Sequence, residues 1–522
     1  MADTETNQIT GAEALVHTLA ENGVTACFSN PGTSEMHLVT AFDKEPRIRS
    51  VLCLFEGVAT GAADGFARIA GTPAMTLLHL GPGYQNGGAN VHNARRANSP
   101  MINVIGDHAT GHRRHDAPLG SDIVSLVAPN NHWVKSVEKV GDAGRLAGEA
   151  FAASFGPKPG PVSLLLPADS AWTMGGTKGA IVERPTLLQA SDETIKAAAS
   201  ALKSAKKPAL LVKGTALLED GLNALARLHA AGVMVFTDTF ISRQARGAGR
   251  FAPDRLQYFG EMALAQLDGV DLLLLAGTDA PVAFFAYPDK PGLLVPEGCE
   301  TLSLGGADHD SAAAFTALAN EMGATDSSPA SELMSPDAPT GELNPGAIGA
   351  SIARHMPDNT IVADDGVTGS LAAFLPTTHS RAHDWLMLTG GAIGMGMPLA
   401  LGAAIAAPDR KVLCLSGDGA GMYTNQALWS FAREDVDVVT VVFVNHSYRI
   451  LNIELYRTGA GNPGPASQGM LNLGSPEIDW AKLAEAQGVP AELATTAEEF
   501  DAALETAFAA KGPRLIAALV AD

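Results

Sequence analysis

The stretch Val412–Ser447, VLCLSGDGAGMYTNQALWSFAREDVDVVTVVFVNHS, carries the reading of the chain. It opens with an apolar run, Val412 to Ser416, and breaks into Gly417-Asp418-Gly419-Ala420-Gly421. A helical pattern follows, and a second apolar run, Val438 to Val444, ends in Asn445-His446-Ser447. Continuous apolar runs on either side of a helix are the pattern of adjacent parallel strands covered on both faces. Asp418 and Asn445 are therefore predicted at the same end of neighbouring strands.

The same alternation extends outward. Val51 to Phe55, Ala74 to Leu80 and Met101 to Ile105 are expected strands around an Ala-rich helix, Val58 to Ile69; Pro208 to Val212, Val233 to Thr237 and Leu272 to Ala276 repeat the cycle, as does Thr360 to Ala363 before the opening stretch. Stretches rich in Gly, Ser, Thr and Pro at Pro167 to Pro185 and Gly323 to Pro345 read as linkers. With 522 residues and a prior of about 150 per domain, the expectation is an α/β protein of three doubly wound parallel-sheet domains. Their expected spans are residues 1–180, 190–330 and 345–522.

Composition narrows the function classes. Lys+Arg 35 against Asp+Glu 56 gives a net charge of -21, which opposes a nucleic-acid partner. Met1 to Thr10 lacks a basic start and an apolar core, and no stretch approaches about 20 uninterrupted apolar residues, so no membrane partner and a cytoplasmic location are expected. Cys27, Cys53, Cys299 and Cys414 show no metal-ligand or CxxC spacing and read as buried, reduced thiols.

Gly-Asp-Gly alone is also an ordinary turn. With an amide 27 positions later at a second strand end, a metal-bound diphosphate is the stronger reading. Mg²⁺ takes oxygen ligands and completes its octahedron with phosphates and water, which suits Asp418, Asn445 and a backbone carbonyl. Gly419 to Gly421 would let N–H groups approach the phosphates.

This arrangement resembles the thiamine diphosphate motif of the pyruvate-decarboxylase and acetolactate-synthase superfamily. The resemblance implies Asp418 and Asn445 by side chain and Ser447 by carbonyl as Mg²⁺ ligands, with Gly417, Gly419, Ala420 and Gly421 around the diphosphate. The superfamily usually carries two Asn together, where this chain reads Val444-Asn445. In the first unit, Asn30-Pro31-Gly32-Thr33-Ser34-Glu35 and Phe55-Glu56-Gly57 through Ala62-Ala63-Asp64-Gly65-Phe66-Ala67-Arg68 are similar to benzoylformate decarboxylase. A carboxyl flanked by Val51, Leu52, Leu54 and Phe55 is expected to be shielded from water and to hold its proton. The resemblance gives Glu56 the short hydrogen bond to the aminopyrimidine; the bland alternative is a helix-start carboxylate facing the dipole.

Further roles come from the same resemblance. In Leu388 to Gly396, Gly391 offers a carbonyl to the aminopyrimidine and Ile393 supports the bend of the cofactor; otherwise the run is a Gly-rich packing turn. Thr368 is the hydroxyl candidate for a second diphosphate contact, or an N-cap for the next helix. Proton transfer near neutral pH favours histidine. His79 resembles the histidine of benzoylformate decarboxylase, and His115, in a loop with His108 and His112, resembles one of the paired histidines of pyruvate decarboxylases. A zinc site there is disfavoured by Arg113 and Arg114, which read as surface charges or as a clamp for a second acidic group. Thr33, Leu80 and Leu451 complete the expected substrate pocket.

The implied units are pyrimidine-binding, middle and diphosphate-binding domains. No dinucleotide Gly pattern stands in the middle one, so no FAD is expected. The superfamily's site forms between two chains, which implies a dimer of active-site pairs and a homotetramer. The implied activity is decarboxylation of a 2-oxo acid with possible carboligation to a 2-hydroxy ketone. The alternatives are an acetolactate-synthase-like condensing enzyme, a 2-hydroxyacyl thioester lyase and an inactive binding protein of the same fold.

Overall fold

A computed structural model describes residues 8–288 and 290–520. The opening of the N-terminal reading, residues 1–7, lies outside them. Three parallel sheets, each between helices, make the α/β architecture expected from the alternating pattern. The first has six strands in the order Arg49–Leu52, Ala26–Asn30, Ala74–Leu78, Met101–Asp107, Pro161–Pro167, Val134–Ser136. The second has five, with Pro208–Val212 at its centre between Met234–Thr237 and Leu272–Ala276. In the third, of seven strands, Val412–Gly417 lies between Thr360–Asp365 and Val438–Val444. The Val412 and Val438 strands pair in parallel from Val412↔Val438 to Gly417↔Phe443, which brings Asp418 and Asn445 to one rim.

Several expectations need correction. Leu80 does not end a strand: it starts the helix Leu80–Ala97, with φ +50. The stretch read as a linker from Pro167 contains the helix Ala168–Trp172 and the strand Met174–Gly176, which pairs with Ile9–Thr10. Small and polar composition hides such short elements. The segment Gln244–Arg246 leaves the second sheet's part of the chain and adds an antiparallel strand to the third sheet. Three residues are too few for a periodic pattern; what holds them is the Arg246 guanidinium, 3.5 Å over the Phe374 ring and donating to the Phe374 carbonyl. Cys27, Cys53 and Cys414 are buried as expected, but Cys299 is partly exposed.

The first and third units are locked together by backbone proximity. The helix Glu56–Ala70 crosses the helix Gly396–Ala406 so closely that a Cβ on Gly65 would lie 2.1 Å from the Leu399 carbonyl oxygen, and one on Gly402 1.8 Å from that of Ala62. That contact, not conformational freedom, explains the small residues of AADGFAR. Beside it Arg68 donates to the Asp64 carboxylate at 2.6 and 2.8 Å, both side chains at most 1% exposed, and to the Met387 carbonyl and Thr389 hydroxyl. A buried pair with every donor used is costly to break. Among the described residues no helix is long and apolar enough to cross a membrane.

Candidate functional site

Two strand-end rims hold the residues singled out by sequence. On the first, Glu56 is the first residue of its helix, 6% exposed, and accepts a hydrogen bond from the Asn86 amide at 3.0 Å. Its position is thus both the helix start of the bland reading and a shielded carboxyl. Leu54 is 47% exposed and does not shield it, whereas Asn86 and Gly83 lie against the carboxyl group. A Cβ on Gly83 would stand 3.3 Å from Glu56 Oε1 and 3.4 Å from His79 Cβ; the two side chains therefore flank one small space. His79 precedes the helix Leu80–Ala97, and its Nδ1 lies 2.8 Å from Oε2 of the buried Glu35. Sequence reading quoted Glu35 but gave it no role. Its only local signal is the Gly32 N–H it caps at 2.8 Å, which any turn-capping acid would show.

On the third rim Asp418, 4% exposed, accepts three backbone N–H groups: Gly419 at 2.8 Å, Asn445 at 3.1 Å and His446 at 2.7 Å. Burial pushes this carboxyl up from the ordinary aspartate value while those N–H groups pull it down. His446 adopts φ +53, a left-handed turn that points two successive N–H groups at one oxygen. Asn445 Oδ1 accepts the Ser447 N–H at 3.1 Å. The Ser447 carbonyl accepts no hydrogen bond among the described residues.

The rims coincide with two family models. The N-terminal TPP binding domain of thiamine pyrophosphate enzymes matches residues 9–126 and the C-terminal TPP binding domain residues 366–518. The chain belongs to the thiamine pyrophosphate enzyme family. A Mycobacterium tuberculosis relative, provisionally named as the acetolactate synthase large subunit IlvX, is 49% identical over 98% of this chain and 99% of its own. Benzoylformate decarboxylase of Pseudomonas aeruginosa is 29% identical over 95% of this chain and 96% of its own. The solved structure of the thiamine diphosphate-dependent 4-hydroxybenzoylformate decarboxylase of Rhodococcus jostii RHA1 has a TM-score of 0.85 at 25% identity, covering 98% of this chain and 99% of that one.

Among the described residues no group of three or more His, Cys, Asp or Glu could hold a metal by itself. One carboxylate, one amide and one carbonyl, all oxygen donors, suit a hard cation that takes its remaining ligands from a diphosphate and water. The glycines, however, have other reasons than an approaching phosphate. A Cβ on Gly419 would meet the Tyr448 ring at 2.4 Å and one on Gly421 the Trp480 ring at 2.6 Å; Gly417 alone is open, with Ala420 Cβ 3.9 Å away. Gly419, Ala420 and Gly421 lie in the one-turn helix Asp418–Gly421, and the next full helix starts only at Ala427.

The loop before the Gly396–Ala406 helix is shaped by Asp365, a residue not singled out by sequence. Its Oδ2 accepts the N–H groups of Gly394 at 2.7 Å and Gly396 at 3.1 Å, and its Oδ1 is buried without a partner. Burial, with Asp364 adjacent, pushes this carboxyl up to about 7. The loop presents Ile393, half-buried, and Gly391, which has φ +76 and whose Cβ would stand 2.6 Å from the Phe284 ring. Thr368 follows Val367, whose φ of +49 is unusual for a β-branched residue. Thr368 is not an N-cap: that position before Leu371–Phe374 belongs to Ser370.

Of the other expected pocket residues, Leu80 and Thr33 adjoin His79 and its Glu35 partner in the chain fold, whereas His115 lies in a separate loop. His115 is exposed, its ring 5.5 Å from that of His112, and no hydrogen bond links it to His79. Arg113 is committed to Asp107 at 2.8 Å and Glu138 at 3.0 Å, which removes it as a free clamp. Thr33 is exposed, Leu451 is 45% exposed, and Leu80 is buried. A cavity of about 730 Å³ opens where the three units meet, between Arg95, Arg96, Lys213 and Phe284. It touches Thr389 and Gly390 but none of Glu56, His79, Asp418 or Asn445, so size does not mark the chemistry here.

Proposed function

We propose that the protein decarboxylates a 2-oxo acid with thiamine diphosphate and Mg²⁺, releasing an aldehyde or joining the fragment to a second carbonyl as a 2-hydroxy ketone. The observation that carries this reading is the pair of rims: a carboxylate gripped by three N–H groups beside an amide and a free carbonyl on one, and a shielded glutamate next to a histidine on the other. In this reading Asp418, Asn445 and the Ser447 carbonyl hold the metal, and Gly417, Gly419, Ala420, Gly421 and Thr368 surround the diphosphate. Gly391 and Ile393 seat the rest of the cofactor. When bound, thiamine diphosphate supplies the nucleophilic carbon and the electron sink for cleavage beside the carbonyl.

The chain's own residues supply placement and protons. Glu56, kept from water, faces the aminopyrimidine side as its hydrogen-bond partner, and Asn86 fixes its rotamer. His79 exchanges a proton with substrate or product. Leu80 and Leu451 give the pocket apolar surface, and Thr33 a hydroxyl. His115 contributes at the junction with a second chain. Leu54 is exposed beside Glu56, as are Met422, Tyr423 and Leu451 beside the Asp418 rim, at 40–55%. Such apolar rims support a covering copy of the same chain, so the functional unit is a dimer, and a homotetramer pairs two of them.

A panel of 2-oxo acids assayed for CO₂ release, with and without added aldehyde, tests the reading. Turnover that is thiamine diphosphate-dependent and lost in Glu56→Gln supports it; equal activity of wild type and variant at saturating cofactor contradicts it. An acetolactate-synthase-like condensation is the second reading, favoured by the name of the 49% identical relative. Formation of a 2-hydroxy-2-alkyl acid from two 2-oxo acids, with little aldehyde, would select it.

A further inference from the structure

We infer that Glu35 is the positioning residue of His79: it holds the imidazole by Nδ1 and leaves Nε2 as the nitrogen that exchanges the proton with substrate. The inference rests on the reading of His79 just given and adds which nitrogen works and what keeps it there.

Glu35 ends the 3-10 turn Thr33–Glu35, and its side chain is 0% exposed. A carboxylate so far from water must be met by donors. Three are present: the Gly32 N–H at 2.8 Å and His79 Nδ1 at 2.8 Å, both on Oε2, and the Ser34 hydroxyl at 2.8 Å on Oε1. The Gly32 N–H can only donate, and the Ser34 hydroxyl, 2.8 Å from Oε1, also lies 3.3 Å from Nδ1; the shorter 2.8 Å contact of Nδ1 with the acceptor-rich carboxyl group is assigned to a hydrogen on Nδ1. That fixes the tautomer in the neutral ring: Nδ1 carries hydrogen and Nε2 is the open acceptor. The same hydrogen bond steadies the ring when Nε2 is protonated.

Space on both sides permits little else. A Cβ on Gly32 would stand 2.1 Å from His79 Nδ1, and one on Gly106 1.8 Å from Glu35 Oε1, so backbone closes around both ends of the contact. His79 Nε2 has no hydrogen-bond partner among the described residues, and the side chain is 21% exposed. The ring is thus anchored at one nitrogen and free at the other, and the root of the side chain lies beside Gly83, as Glu56 Oε1 does. His108, His112 and His115 have no such anchor: among the described residues no carboxylate hydrogen-bonds their rings.

A double-mutant cycle on the full-length holoenzyme tests this, read as kcat and KM for CO₂ and aldehyde release from a 2-oxo acid that wild type turns over. Glu35→Gln should lower kcat about tenfold with KM changed less than about twofold, because orientation of a proton donor acts on the chemical step. Combined with His79→Ala it should cost no more than His79→Ala alone. A further tenfold loss in the double variant would show that Glu35 acts elsewhere and overturn the inference. If His79→Ala itself leaves kcat unchanged, the reading of His79 fails instead, which is a separate result. Should Glu35→Gln not fold, Glu35→Asp keeps the charge and withdraws the carboxyl from Nδ1 by one methylene. It should reproduce the kcat loss and, again, add nothing to His79→Ala; an unchanged kcat would overturn the inference. Thiamine diphosphate affinity by calorimetry should stay within about twofold throughout, since neither residue lies on the diphosphate rim.

Discussion

The buried carboxyl groups of the two rims are held in different ways. On the first rim mostly side chains meet them: Glu56 by Asn86, Glu35 by His79 and Ser34, with one main-chain N–H from Gly32. On the third rim the main chain does it: Asp418 gathers the N–H groups of Gly419, Asn445 and His446, and Asp365 those of Gly394 and Gly396. A carboxyl held by side chains can change its proton or its rotamer while the loop around it stays put. One held by successive N–H groups sets the shape of the loop. In the proposed reading the first rim serves proton transfer and the third holds a metal ligand in a fixed loop, and substitutions should separate the two.

The largest effect is expected from Asp418→Ala. It strands three N–H groups, each at a cost of about 1–3 kcal/mol, and removes a proposed metal ligand. Thiamine diphosphate affinity in the presence of Mg²⁺ should fall at least about a hundredfold in calorimetry, with a lower melting temperature. Glu56→Gln should do the reverse: CO₂ release down by roughly two to four orders of magnitude, affinity for the cofactor and melting temperature nearly unchanged. If both variants lost affinity equally, the contrast between the rims would be void.

Arg68→Met addresses the tie between the two units. It leaves Asp64 buried at 0% exposure without its partner and should cost about 3–5 kcal/mol in urea unfolding. Asp365 predicts a pH dependence. An aspartate ordinarily ionises near 3.8, and this one is pushed up to about 7. Between those values the unfolded chain releases a proton that the folded chain keeps, so folding stability falls as pH rises through this window, by on the order of 4 kcal/mol. Asp365→Asn cannot ionise and should flatten that part of the melting-temperature profile of the cofactor-free protein; an unchanged slope would assign it to other groups. The smallest effect is expected at the exposed His115: His115→Ala should lower turnover less than about threefold, against about a hundredfold for His79→Ala.

Parallel strands with buried faces were legible because each is a continuous apolar run, and Asp418 and Asn445 could be placed because they end two such runs in register. Glu56 was legible through the company of its helix. Glu35 was not, because its partner His79 is 44 residues away and the pairing exists only once the strands Ala26–Asn30 and Ala74–Leu78 lie side by side. Asp365 was hidden for the same reason: the N–H groups it collects belong to a loop 29 and 31 positions on. Gly419 and Gly421 were read as opening the way for a phosphate, whereas the rings that forbid a side chain there, Tyr448 and Trp480, come from later elements that local sequence does not show. Periodicity reports what each segment buries; it is silent on which segment it meets.

The most direct test of a site shared between two chains is complementation. Glu56→Gln and Asp418→Ala are each expected to be inactive, one for want of the proton-transfer rim and the other of the metal-holding rim. Mixed and reassembled in equal amounts, half the dimers should contain one of each, and each such dimer should hold one intact site. About a quarter of wild-type CO₂ release should then return. A mixture no more active than its two components, under conditions where exchange of subunits is demonstrated, would contradict a site built from the Glu56 rim of one chain and the Asp418 rim of its partner.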